Sequence, residues 1–62
     1  MIRYWAVQWG GITRIERAKE SEQAKRLAFG MAVPEMVVFD LGTRKREVYK
    51  KAQSLPKPKP VS

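Results

Sequence analysis

The residues of this chain best equipped for chemistry are cations near its C-terminal end: Arg44, Lys45 and Arg46 in succession, then Lys50 and Lys51, then Lys57 and Lys59. A guanidinium fork grips a phosphate at two points, and an ammonium adds a compact point charge. A set of this size neutralises several phosphates and releases their counterions, so any binding it supports weakens steeply with salt. The set is also local. Residues 42–62 hold seven basic side chains against one acid, Glu47, whereas residues 1–41 hold six basic and five acidic ones. Six of the seven net charges therefore lie in the last third of the chain. Charge runs also serve simply as solvated, solubilising surface, so charge alone does not choose between a binding face and a tail.

Other chemistries lack their reagents. The chain has neither His nor Cys, the commonest agents of proton and acyl transfer near neutral pH. Ser21, Ser54 and Ser62 have no base beside them in sequence. The acids Glu16, Glu20 and Glu22 crowd the segment before a helix, where solvated surface and first-turn dipole compensation account for them. Gly10-Gly11 lacks the spacing of a phosphate loop. The expectation is a non-catalytic protein with no cofactor and no metal.

Two aromatics complete the candidate site. Tyr49 falls among the cations. Trp9 precedes Gly10-Gly11, and an exposed indole on a glycine loop can stack on a base or fill a partner's pocket. It can equally fold back over the sheet edge.

The elements that position these groups read as follows. Tyr4–Val7 and Ile12–Arg17 alternate around Gly10-Gly11, which signals a hairpin. A two-residue turn places Trp5 opposite Glu16 and Val7 opposite Arg14, mixing charge into the apolar face. A three-residue loop, Trp9-Gly10-Gly11, pairs Trp5 with Ile15 and Val7 with Thr13, separates the faces and leaves Trp9 at the tip. The cleaner separation favours the second register. Ser21 is a candidate N-cap with Glu22 in the first turn. Ala24, Leu27, Ala28 and Met31 keep helical spacing, and Gly30 is the natural stop, with Met31 packing back. Trp5, Phe29 and Phe39 are expected in the core, Tyr4 and Tyr49 on polar faces. Met36–Leu41 has strand composition, and Asp40 to Thr43 reads as a turn. Residues 45–51 fit a return strand better than a helix, because three cations at a helix N-terminus oppose its dipole; Val48, Ala52 and Leu55 keep the helical alternative open. The predicted class is α+β: a small antiparallel sheet in β-β-α-β-β order, the last strand convertible to helix, with one short helix on one face.

Composition sets the outer limits. Sixty-two residues make one domain, expected over residues 1–52, and a domain this small buries only about 60% of its unfolded surface. No disulfide is available to staple it, which leaves homodimerisation open. Residues 53–62, in which Pro and Lys alternate over 56–60, read as a disordered, extended tail. No stretch reaches the ~20 apolar residues of a membrane span, and the N-terminus has no signal-peptide pattern. A soluble, cytoplasmic protein is expected, with a membrane partner disfavoured.

Tyr4-Trp5-Ala6-Val7, Ser21-Glu22-Gln23-Ala24 with Leu27-Ala28, and Val33-Pro34 before a closing apolar strand resemble small phage-encoded proteins, an inhibitor of bacterial RNA polymerase being one example. The resemblance covers about forty residues and departs at the basic C-terminal third. It implies a hairpin, a helix and a third strand, in a small viral or mobile-element protein that binds a host macromolecule; it assigns no functional residue. Two functions follow. The first is nucleic-acid binding, DNA or RNA, with low sequence specificity, through phosphate contacts from Arg44, Lys45, Arg46, Lys50 and Lys51, aided by Lys57, Lys59 and a stacking Trp9 or Tyr49. The second is a protein–protein module that inhibits or modulates a host enzyme by docking on an acidic surface, with Trp9 as its anchor.

Overall fold

A computed structural model describes residues 1–58. Strands β1 (Arg3–Trp9) and β2 (Ile12–Ala18) form a hairpin closed by Gly10-Gly11 alone. Both glycines take positive φ, 60° and 79°, the type I′ pattern whose twist matches that of paired strands. Trp9 pairs with Ile12, Val7 with Arg14 and Trp5 with Glu16. This corrects the expected three-residue loop, and with it the placement of Trp9 at a loop tip. Charge on the apolar face, the reason for disfavouring this register, turns out to be used. Arg14 Nη1 donates to the Ala28 carbonyl at 2.6 Å, and its guanidinium lies 4.8 Å from the Phe29 ring centre. The side chain thus satisfies a carbonyl that a helix end leaves open and covers an aromatic with its cation.

Helix α1 (Ser21–Phe29) begins one residue earlier than its sequence signals suggest, with Glu20 at the cap position and no side-chain cap bond. Gln23 reaches back instead, its Oε1 accepting from the Lys19 amide at 3.1 Å. Gly30 stops the helix as expected: its φ is 75° and its amide bonds the Arg26 carbonyl at 2.8 Å. Met31, expected to pack back on that turn, is about half exposed.

Strand β3 (Val37–Gly42) pairs antiparallel with β1, giving the sheet order β2-β1-β3. The register breaks between Tyr4 and Trp5, which face Gly42 and Asp40. Leu41 is the extra residue of this bulge. The Asp40 turn is as read: its Oδ1 accepts from the Gly42 amide at 2.8 Å, and Gly42 has φ 82°.

The last element is helix α2 (Lys45–Gln53), not a return strand. The reason is on the sheet's second face. Ala6 and Leu41 are fully buried there with Val48, and Tyr4, Phe39 and Leu55 pack around them. A strand beside β3 would leave that face in water, whereas the stripe Val48, Ala52, Leu55 covers it. Burying Leu41 and Val48 contributes about 1.5–3 kcal/mol each, together more than a dipole penalty of roughly 0.3–1 kcal/mol per cation.

The result is three layers. On the first face, Val7 and Ala18 pack with Ala24 and Ala28 of α1 and with Met36, ringed by Trp5, Trp9, Phe29, Val33 and Val38. On the second lies α2. The expected single helix on one face is therefore corrected to two helices on opposite faces, and the even-numbered side of β1, read as polar, is a second core surface. Its buried Gln8 donates through Nε2 to the Pro56 carbonyl at 2.8 Å, so the chain stays against the sheet past residue 53, where the loose tail was expected to begin.

Candidate functional site

Gly42 and Thr43 carry the chain out of β3, and Arg44 enters α2 in extended conformation (φ −95°, ψ 111°) as its cap residue. No side chain caps this helix start; the Glu47 amide donates to the Arg44 carbonyl at 3.1 Å, and the positive end of the helix dipole lies at this turn, where Glu47 is the one acid. Rotation of the helix is set by Val48, pinned at 5% exposure against Ala6 and Leu41. That rotation gathers Arg44, Lys45, Arg46 and Tyr49 around one open surface depression. Tyr49 is 76% exposed, its ring available beside three cations.

The remaining predicted residues are placed differently. Lys50 is exposed on the same helix but lies outside the lining of the depression. Lys51 leans toward β3: its ammonium is 3.9 Å from Glu47 and sits close over Gly42. Lys57 is exposed beyond the helix. Lys59 lies outside the described residues. Trp9 stands at the far end of β1 and on the other face, its indole edge-on to Phe29 at 5.7 Å. The structure thus brings together Arg44, Lys45, Arg46 and Tyr49 and keeps Trp9 apart from them.

One cation escaped the sequence reading. Arg17 pairs with Tyr4 and stacks 5.7 Å from its ring centre, on the face that α2 occupies. The true hairpin register places it there, so the signal was present in the Gly-Gly turn but was assigned to the other register.

Asp40, at the end of β3 that leads into this turn, is neutralised locally. Asp40 is held below its ordinary carboxyl pKa by the Gly42 amide, then by the Arg3 guanidinium, with Lys51 adding a smaller pull. Arg3 Nε lies 2.9 Å from Oδ2 and 3.1 Å from Oδ1. Asp40 therefore remains an anion but spends its charge on Arg3 and Gly42 rather than on the Arg44–Arg46 turn.

Among the described residues no cluster of three potential ligands could hold a metal ion, and no helix is long and apolar enough to cross a membrane. Searches of protein-family models, curated proteins and solved structures found no match to this chain. The resemblance to small phage proteins accordingly carries no residue assignment, and the site rests on its own geometry.

Proposed function

We propose that this chain is a non-catalytic module that holds nucleic acid by its phosphates, with low sequence specificity. The observation that carries this reading is the gathering of Arg44, Lys45, Arg46 and Tyr49 around one depression at an uncapped helix start. Cations at that end cost roughly 0.3–1 kcal/mol each against the dipole. An arrangement that opposes local stability is where function is expected. A phosphate in the depression would meet forked donors beside the positive end of the helix dipole, and the Tyr49 ring could stack on an unpaired base. Lys50 and Lys57 would add attraction without geometry. The protein-docking alternative has less support, because the indole it relied on, Trp9, is engaged by Phe29.

Fluorescence anisotropy with a generic duplex and a generic single strand, titrated across salt, tests this. Affinity should fall steeply with salt, and replacing Arg44, Lys45 and Arg46 by Ala should lower the log–log slope by roughly 3 for duplex DNA. A flat salt response, or a slope unchanged by the triple substitution, overturns the proposal.

A further inference from the structure

We infer that this protein self-associates through the free edge of β2, joining two copies into one continuous six-stranded sheet. β2 is an outer strand of seven residues paired without interruption to β1. The other outer strand, β3, is broken by the Leu41 bulge, a device that blunts an edge. β2 carries no such interruption.

Backbone geometry decides which groups it offers. In a two-residue hairpin the closing pair, here Trp9 and Ile12, exchanges both backbone hydrogen bonds, and bonded pairs alternate from there. Ile12, Arg14, Glu16 and Ala18 therefore spend their amides and carbonyls on β1. Thr13, Ile15 and Arg17 aim theirs at the open edge. Their side chains stand on the α2 face, where α2 packs on β1 and β3 but not on β2. Ile15 is left 38% exposed.

The occupant is identified by charge. Two antiparallel copies of β2 must pair outward-bonding residues with one another, and only a two-fold axis through Arg14, Ile15 or Glu16 brings two or more such pairs together within the strand; an axis at Thr13 or Arg17 leaves one. An axis at Arg14 sets arginine against arginine, and one at Glu16 sets glutamate against glutamate. An axis at Ile15 sets isoleucine on isoleucine, Thr13 on Arg17, and each Arg14 opposite Glu16 of the second copy. Only this register is free of like-charge pairs, which are unfavourable when directly opposed. The pattern Thr13-Arg14-Ile15-Glu16-Arg17 is thus self-complementary, and the same charges disfavour strands that lack it. Six backbone bonds form, and the two Ile15 side chains cover each other. A two-fold normal to the sheet keeps both α2 helices on one face.

Sedimentation velocity on the full chain, from micromolar to millimolar, tests this independently of any nucleic acid. The parent should shift from monomer to dimer. Glu16→Lys should weaken self-association roughly tenfold or more by replacing two attractions with two repulsions. Arg14→Glu should do the same, and mixing these two variants should restore a one-to-one dimer, because Arg14 and Lys at position 16 then face Glu16 and Glu at position 14. If Arg14→Glu loses its folded circular-dichroism signal, Ile15→Pro replaces it: it deletes an outward amide that β1 does not use, and should leave a folded monomer. Hydrogen exchange should show the amides of Thr13, Ile15 and Arg17 protected only at dimer-forming concentrations. A monomer at every concentration, a dimer indifferent to Glu16→Lys, or fast exchange of those three amides within the dimer overturns the inference.

Discussion

The two helices are of equal length, nine residues each, and both start without a side-chain cap bond, but they differ in the charge gathered at that start. α1 has an acid, Glu22, in its first turn and a base, Arg26, in its last; its end is closed by a left-handed glycine and by Arg14 on the Ala28 carbonyl. Two alanines let it settle closely on the sheet. α2 likewise has an acid, Glu47, in its first turn and bases, Lys50 and Lys51, in its last, but Arg44, Lys45 and Arg46 stand ahead of that acid, and its one buried residue is Val48. The first helix has an acid without cations at its start and a glycine stop at its end; the second sets three cations against one acid at its start and is held to the sheet by the Ala6, Leu41 and Val48 cluster. The contrast locates the structural half of the molecule on one face and the charged half on the other.

The largest effect should come from Leu41, the central side chain beneath α2. Leu41→Ala should destabilise the fold by about 2–5 kcal/mol, and a melt followed at 222 nm should show its midpoint well below that of the parent. If the loss is instead small, α2 is held by something other than this cluster. Next, Arg14→Ala should cost about 1–2 kcal/mol, by removing a charged bond to a helix-end carbonyl and its cover over Phe29. Urea unfolding measures this, with binding of nucleic acid unchanged.

Arg44→Asp inverts the logic at the other helix. An acid that caps the first turn and suits the dipole should raise stability by about 1 kcal/mol. The same change should weaken phosphate binding more than Arg44→Ala does. Gain of stability with loss of binding sharpens the contrast between the helices; loss of both would break it.

The smallest effect concerns pH. Asp40 has its pKa lowered in the folded state by Gly42 and Arg3. Its contribution is present above the unfolded-state carboxyl value, near 3.8, and is lost as pH falls through the lower folded value. The Arg3–Asp40 pair is partly exposed to solvent, so the contribution is modest. Asp40→Asn should flatten the part of the acid limb due to this group, as read from melting midpoints between pH 5 and pH 2.

Several features were legible before the structure because they depend on neighbours in sequence. Gly30 as a helix stop, Asp40 bonding across its own turn, and the hairpin itself all follow from local backbone chemistry. The cationic set was equally plain, and Arg44, Lys45, Arg46 and Tyr49 needed only the α2 rotation to become one surface. The errors have a common origin. Arg14 opposite Val7 looked like a flaw because the helix end that it serves lies fourteen residues away. Ala6 and Gln8 looked like a polar side because what covers them comes from Val48 and Pro56.

By itself, then, the sequence determined the α+β class, the hairpin, α1 with its glycine stop, and the uneven charge. Short-range sterics and spacing suffice for each. Tertiary structure alone decided that residues 45–53 form a helix, that Trp9 is engaged by Phe29, and that the cations open onto one depression. The physical reason is burial. A second face of β1 had to be covered, and the free energy of covering it outweighed the local preferences by which residues 45–51 read as a strand.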